Sequence, residues 1–304
     1  MTSTRHTRER LLSKAIAIAL LAIALLLASL GVARARLRDH RTTTANTNVA
    51  HRSRKHVDPL NTAALRRYVD SRSGDITAAV ENLDTGRTYL WNPRERAQTA
   101  SIIKADILET LLRQAIVSHN PPDQETAGVI QGMIEDSDND DATQLWDQVG
   151  GASGISAYNK LVGMTQTDPN TDGYWGETTT SAADQIKLLQ QLVDKHGLLE
   201  PASQRYQLGL MKSVVSGQNW GVSGGVPAGV SVALKNGWLP LSSDTDWEIN
   251  SIGRIKGEGR WYLIAVLTAH DPTEQYGIDT IDGISSLVWR ALRPRATHLL
   301  VGRR

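Results

Sequence analysis

The 304-residue chain contains no cysteine and no phenylalanine. The absence of cysteine excludes a disulfide framework, a thiolate metal site, a cysteine nucleophile and lipid attachment through an N-terminal cysteine. The absence of phenylalanine excludes nothing, because tryptophan, tyrosine and aliphatic residues can fill a core. No pair of histidines has the spacing of zinc ligands, so we expect no metal and no cofactor.

Positive charge is scarce outside the N-terminal part of the chain. Residues 1–58 carry 11 Lys or Arg and 3 acidic residues, whereas the remainder holds 22 basic and 29 acidic residues, a net charge of −7. A nucleic-acid partner needs a positive footprint on the folded domain, so this distribution argues against one. We expect the basic N-terminal part to meet a membrane instead.

One long uncharged run, AIAIALLAIALLLASLGV at 15–32, follows four basic residues. This pattern is typical of an export signal, and Ala33 and Ala35 supply an A-x-A cleavage pattern. The run is long for a signal-peptide core and slightly short for a spanning helix, so cleavage and membrane anchoring both remain open. We predict a signal peptide or transmembrane anchor over 1–35, a flexible basic linker over 36–58, a folded extracytoplasmic domain over 59–293 and a short basic tail over 294–304.

The domain shows strand patterns at both ends and helical patterns between them. Strands are predicted at 76–83 and 87–91, a strong helix from Ser101 to about 119, and an all-helical block over 124–216 that includes a helix at 181–196. Ser181 and Asp184 fit a capping box for that last helix. Further strands are predicted at 229–235, 247–255 and 261–270, followed by a terminal helix from about 281 to 292.

Strands from the two ends must meet, because isolated hairpins are unstable in water. We therefore predict an α+β fold of three layers, α/β/α, in which helices flank a five-stranded antiparallel sheet. The helical block forms its own lobe against this sheet, and the cleft between them is the natural place for a site.

Ser101 and Lys104 are three positions apart at the predicted helix start, so their side chains lie on one face. A serine hydroxyl is a poor nucleophile until a base takes its proton, and a desolvated lysine can lose its own proton near neutral pH. The pair is a candidate nucleophile and base. A helix-capping serine beside a solvated lysine gives the same pattern.

Ser137, Asp138 and Asn139 form a rarer triplet, which could also cap the next helix. The aspartates at 136, 138 and 140 are similar to the start of a calcium loop. However, Asp141 occupies the position where that loop needs glycine, and Asp147 stands where it needs glutamate, so we do not expect calcium.

Lys235, Asn236 and Gly237 follow the strand pattern VSVAL. Asn followed by Gly favours a type I′ hairpin turn, but continuation of the strand through Trp238 is equally compatible with the sequence. If the segment is extended, Lys235 projects into the cleft beside Ser101, and Gly237 allows a ligand or backbone to approach closely.

Taken in order, S-x-x-K at 101–104, S-D-N at 137–139 and K-x-G at 235–237 resemble the signature of class A β-lactamases and penicillin-binding proteins. The arrangement of two strands before the helical block and three after it is also similar. The resemblance covers roughly residues 59–293 and implies a serine hydrolase that acts through an acyl-enzyme.

The resemblance implies a role for each matched side chain. Ser101 would attack the carbonyl of a β-lactam or an acyl-D-alanyl peptide, and Lys104 would accept or relay its proton. Ser137 would pass that proton to the leaving nitrogen. Asn139 would hydrogen-bond the substrate's side-chain amide, and Lys235 would hold the ligand carboxylate and bias the pKa of Lys104.

For the oxyanion hole, the resemblance implies the backbone N–H groups of Ser101 and Trp238.

The sequence also departs from the family pattern. The family usually places Thr or Ser between the lysine and glycine of its third motif, so Asn236 puts the binding of the carboxylate in doubt. The interval of 36 positions from Ser101 to Ser137 is short for this family and predicts an open site.

The loop after Met164 lacks the E-x-x-L-N motif in which class A enzymes carry the glutamate that activates the deacylating water. Asp168, Asp172 and Glu177 are its acidic residues, and Glu177, beside the cap of the next helix, is the candidate for a catalytic role. We therefore expect acylation with slow hydrolysis of the acyl-enzyme, by a monomer acting on β-lactams or cell-wall peptides. A D-Ala-D-Ala peptidase and a noncatalytic envelope protein that retains the fold are the alternatives.

Overall fold

The structure, a computed structural model, describes residues 57–241 and 246–294. The hydrophobic run 15–32, most of the basic linker and the tail from residue 295 lie outside these residues, so their assignments stay predictions. Within the described part of the chain, no helix combines the length and the hydropathy needed to cross a membrane.

Eight α-helices and seven strands occur in the described residues. The strands are β1 Asp75–Asn82, β2 Arg87–Trp91, β3 Ala97–Gln98, β4 Thr179–Thr180, β5 Ser231–Pro240, β6 Trp247–Gly257 and β7 Arg260–Asp271. The helices are α1 Ala63–Val69, α2 Ile103–Ser118, α3 Gln124–Gln131, α4 Asn139–Gln148, α5 Gly151–Val162, α6 Ala182–Gln190, α7 Pro201–Leu210 and α8 Glu274–Ala291.

Five strands form one antiparallel sheet in the order β2-β1-β7-β6-β5. The two ends of the domain meet where β1 pairs with β7, with Ala78 opposite Val266. Because β1, β6 and β7 are covered on both faces, their residues are nearly all buried. The predicted five-stranded antiparallel sheet is confirmed.

Two apolar clusters lie on opposite faces of this sheet. One joins the sheet to the flanking helices α1 and α8 and includes Leu65, Ile264 and Val288. The other joins it to the helical lobe and includes Leu108 of α2 and Ala265 of β7. This arrangement confirms the three-layer α/β/α prediction and places α2 between the sheet and the rest of the lobe.

Three predicted boundaries are wrong. The block 124–216 is not all helical, because the two residues of β4 pair with β3 and tie the block to the segment before Ser101. Helix α6 is capped by the Ser181 hydroxyl as predicted but ends at Gln190, where the backbone hydrogen bonds change to i→i+3 turns, such as that from Leu192 N–H to the Leu189 carbonyl. Helix α8 begins at Glu274 rather than near 281, because the Thr273 hydroxyl caps it there.

Candidate active site

Ser101 lies in a short 3₁₀ turn, Ala100–Ile102, that leads directly into α2. The turn is held from the loop side, where Thr99 N–H donates to the Thr178 carbonyl over 2.8 Å. Ala100 has a positive φ of 45°, a backbone conformation that side chains disfavour. Among residues 57–241 and 246–294, the N–H of Ser101 takes part in none of the backbone hydrogen bonds of turns and loops.

Lys104, one turn further along α2, has no exposed surface. Its Nζ donates to the Ser137 carbonyl at 2.6 Å, to Asn139 Oδ1 at 2.8 Å and to Ser137 Oγ at 3.1 Å. Burial lowers the pKa of Lys104 to about 7, while Asp138 and Asp141 act in the opposite direction. Burial therefore favours the neutral amine, which is the form that can accept a proton.

Ser137 joins Lys104 to a second buried lysine. It follows a π-helical turn, Gly132–Asp136, and its φ of 58° turns the chain so that its hydroxyl meets both amines. Lys235 Nζ on β5 donates to Ser137 Oγ at 2.8 Å. Burial, and then the charge of Lys104, lower the pKa of Lys235 well below its ordinary value. The structure thus brings Ser137, Asn139 and both lysines into one hydrogen-bonded network.

The segment Lys235–Gly237 is an extended part of β5, which pairs with β6 through Pro240. The hairpin interpretation of Asn236 and Gly237 is therefore excluded. A Cβ atom on Gly237 would lie 2.6 Å from the Ser101 nitrogen and 2.8 Å from the Thr99 carbonyl oxygen. Only glycine allows the strand to approach the Ser101 turn this closely.

Asn236 lies beneath the cleft surface with 1% of its area exposed. Its Nδ2 donates to the carbonyls of Gln218 at 2.7 Å and Trp220 at 3.1 Å. Both donors of the amide are therefore occupied by the chain before β5. The family's Thr or Ser at this position offers a hydroxyl, whereas here the side chain anchors a neighbouring loop.

Asn250, opposite Gly237 on β6, was not predicted as a site residue. Its buried Nδ2 donates to the carbonyls of Gln98 at 2.8 Å and Thr99 at 3.2 Å, immediately before the Ser101 turn. Because Gly237 has no side chain, the turn lies against the sheet, where the amide of Asn250 can reach it. No sequence motif marks this contact, which joins residues about 150 positions apart.

The loop between α5 and α6 covers the opposite side of the site. Its ends are joined by two hydrogen bonds between Asp168 and Thr179, at 2.8 and 3.1 Å. Within it, Trp175 lies over Lys104, with its ring centroid 5.0 Å from Nζ, and its indole N–H donates to Thr143 Oγ1 at 3.1 Å. An indole, not a carboxylate, therefore faces the lysine from this loop.

Glu177 lies in the same short 3₁₀ helix as Trp175, but its side chain is exposed. It accepts a long hydrogen bond of 3.5 Å from Asn170 Nδ2. Asn170 is itself used to shape the loop, since its Oδ1 accepts from the N–H groups of Asp172 and Tyr174.

A cavity of about 390 Å³ opens beside Ser101. Its walls combine the predicted Ser101, Asn139, Glu177 and Trp238 with residues that the sequence did not indicate: Thr143, Tyr174, Trp175 and Leu239. Trp238 is packed against Trp220, with ring centroids 6.0 Å apart. Lys104 and Lys235 lie beneath this surface and do not line the cavity.

Comparisons with known proteins agree with this architecture. The sequence model of the "Beta-lactamase enzyme family" matches residues 124–292. "Putative lipoprotein LppW" of Mycobacterium tuberculosis is 29% identical over 199 residues, which are 62% of this chain and 62% of that protein. The chain thus matches about three fifths of the length of this curated relative.

Solved structures show the same fold. The TLA-1 extended-spectrum β-lactamase superposes with a TM-score of 0.71 at 18% identity, covering 79% of this chain and all of that one. A variant of PBP-A, in an acyl-enzyme complex with penicillin G, gives 0.64 at 21% identity and covers 74% of this chain and 93% of that one. The resemblance inferred from the three motifs is confirmed.

Proposed function

Because the chain belongs to the Beta-lactamase enzyme family, we propose that it is an extracytoplasmic serine hydrolase that forms an acyl-enzyme on Ser101 with β-lactams or D-alanyl peptides and hydrolyses it slowly. The observation that carries this proposal is the buried network of Lys104, Ser137 and Lys235 next to a serine at a helix start. Burying two lysines costs folding free energy, and groups whose pKa values are perturbed in this way cluster at functional sites.

In acylation, neutral Lys104 takes the proton of the Ser101 hydroxyl while the serine oxygen bonds to the substrate carbonyl carbon. The N–H groups of Ser101 and Trp238 stabilise the oxyanion that forms. When the C–N bond breaks, Ser137 gives its hydroxyl proton to the leaving nitrogen and regains one from protonated Lys104. Lys235, buried beneath the cavity, orients Ser137 by donating to its Oγ, and Asn139 binds the acyl amide.

In the free protein, Lys104 Nζ is directed towards Ser137 and Asn139, which accept its three hydrogen bonds, and not towards Ser101. Substrate binding at Asn139 competes for one of these acceptors, the Oδ1 atom. We infer that the amine turns towards Ser101 when a ligand amide takes its place on Asn139.

Deacylation is the weaker half of the proposed cycle. Class A enzymes activate the attacking water with a loop glutamate, but here Trp175 lies over Lys104 at the corresponding side of the site. An indole accepts no proton, and its ring excludes water from the space it fills. Glu177 remains the alternative base, although its exposed position beside the cavity provides little control over a water molecule.

The proposed location rests on sequence. The hydrophobic run 15–32 supports export, with cleavage or anchoring left as alternatives. The match to a protein named as a lipoprotein supports the same side of the membrane. Because this chain has no cysteine to carry a lipid, an anchor would be the hydrophobic run itself.

Labelling with a fluorescent penicillin, followed by intact-mass measurement, tests the nucleophile. We expect one covalent adduct on the wild-type protein, none on Ser101→Ala, and an undiminished adduct on the control Ser118→Ala at the far end of α2. Equal adduct formation and equal turnover in wild type and Ser101→Ala would favour the noncatalytic alternative.

A second experiment separates the β-lactamase from the peptidase. It compares the turnover of a chromogenic cephalosporin with the release of D-alanine from a D-Ala-D-Ala peptide.

A further inference from the structure

The cavity beside Ser101 has aromatic walls on two sides. Tyr174 stands on the loop side with 66% of its surface exposed, and Trp238 stands on the β5 side with Trp220 behind it. Two hydrogen bonds fix the backbone of Tyr174 in this exposed position. Its N–H donates to Asn170 Oδ1, and its carbonyl accepts from Glu177 N–H at 2.8 Å. Both side chains line the same cavity as Ser101.

The charge around this space is negative. Glu177 is the one residue of the Asp, Glu, Lys, Arg and His types among the described residues that line the cavity, since both lysines are buried beneath it. Asp136, Asp138 and Asp140 are exposed around Ser137 and Asn139, on the lobe side of the cleft. Asp138 and Asp141 are near enough to act on the pKa of Lys104, so their field reaches the site.

We propose that this outer part of the cavity is a subsite for a positively charged, amine-bearing group on the acyl side of the substrate. The inference rests on the proposed acylation of Ser101 and names the class of substrate that the site selects. A carboxylate attracts an ammonium, and the faces of Tyr174 and Trp238 attract it further through their ring quadrupoles. An anionic group in the same place meets Glu177 and the aspartates without a compensating cation on the cavity wall.

Three penicillins that differ only at the benzylic carbon of the side chain provide the test. Ampicillin carries an ammonium there, benzylpenicillin a hydrogen and carbenicillin a carboxylate, while the nucleus and its carboxylate stay the same. Second-order rate constants of acylation are measured by intact mass on the full chain, at low ionic strength and again near 1 M salt, where the Debye length falls to about 3 Å.

We expect the order ampicillin, benzylpenicillin, carbenicillin, with a ratio between the extremes on the order of tenfold at low ionic strength and roughly twofold at high salt. Replacing Glu177→Gln together with Asp140→Asn should lower this ratio. The matched control Asp84→Asn, in the distant turn between β1 and β2, should leave it unchanged. Tyr174→Ala should reduce the advantage of ampicillin over benzylpenicillin.

Equal rates for the three compounds, or faster reaction of carbenicillin, would overturn the charge preference while leaving the nucleophile intact. A ratio that persists in the double variant would also overturn it, because the preference would then not come from these carboxylates. If none of the compounds forms an adduct, the proposed acylation of Ser101 is wrong, and the proposed subsite is then wrong as well.

Discussion

The two sides of the cleft are built in different ways. On the inner side, Lys104, Ser137 and Lys235 are joined by short hydrogen bonds and the two lysines have no exposed surface. On the loop side, Tyr174 and Glu177 are exposed, and Trp175 is the residue that meets the lysine. The first side has the donors and acceptors that acylation needs, whereas the second lacks a buried carboxylate for deacylation.

From this contrast we propose that formation and hydrolysis of the acyl-enzyme depend on separable parts of the fold. The inner side is fixed by α2, β5 and the π-helical turn before Ser137, which are parts of the packed core. The loop side is fixed mainly by its own hydrogen bonds, such as those of Asn170. Substitutions in the loop that keep the bond from Thr99 N–H to the Thr178 carbonyl are therefore expected to change turnover without disturbing the nucleophile.

The largest effect is expected from Lys104→Met, which removes the base and keeps the length of the side chain. We expect the second-order rate constant of acylation to fall by about 10³-fold, in the range of general-base catalysis. The exposed Lys160 on α5 provides the matched control, and Lys160→Met should label at the wild-type rate. Retained labelling in Lys104→Met would show that another group activates Ser101.

Trp175→Glu tests the loop side. A carboxylate in place of the indole could accept a proton from water beside Lys104, so we expect the rate constant of deacylation to rise by about 10²-fold. Trp175→Phe removes the bond to Thr143 but adds no base, and it should deacylate as slowly as the wild type. The rate is measured as the loss of adduct mass after excess penicillin is removed. Similar deacylation rate constants for Trp175→Glu and Trp175→Phe would show that the missing carboxylate is not the cause of slow deacylation.

Asn250→Asp tests how the inner side positions the nucleophile. The substitution places a carboxylate oxygen against the carbonyls of Gln98 and Thr99, and we expect acylation to slow roughly tenfold. Asn82→Asp is the control, because the Asn82 Oδ1 already acts as an acceptor for the N–H groups of Asp84 and Thr85. Unchanged acylation by Asn250→Asp would show that the bonds to residues 98 and 99 do not determine the geometry of Ser101.

The last prediction concerns pH. Only the neutral amine of Lys104 accepts a proton, and burial lowers its pKa to about 7, so acylation should accelerate by about tenfold as the pH is raised from about 6 to 8. Asp141 raises this pKa, and Asp141→Asn should therefore shift the rate profile to lower pH. A shift to higher pH, or a flat wild-type profile, would contradict the assignment of Lys104 as the base.

The sequence predicted most of the fold because the relevant signals are local. Hydrophobic periodicity located the strands and α2, and Ser181 indicated the start of α6 correctly. The sequence left open what tertiary contacts decide. Asn236 and Gly237 were compatible with a turn and with an extended strand, and pairing with β6 keeps them extended. Strands β3 and β4, with two residues each, are too short to show any period.

The motif residues of the candidate site were predicted, but their neighbours were not. Trp175 and Asn250 act through contacts with residues distant in sequence, Lys104 and the 98–99 segment. A tryptophan in a loop and an asparagine in a buried strand carry no sequence pattern that predicts such a contact. For this reason the missing loop glutamate was evident from the sequence, whereas the indole that faces the lysine instead became evident from the structure.

A time-resolved intact-mass measurement with benzylpenicillin tests the central claim most directly, because it reports formation and loss of the acyl-enzyme in one experiment. The account predicts that the mass of one penicillin is added at Ser101, and that the adduct persists long after acylation is complete and free penicillin has been removed. Rapid return of the unmodified mass with many equivalents of penicillin hydrolysed would contradict it.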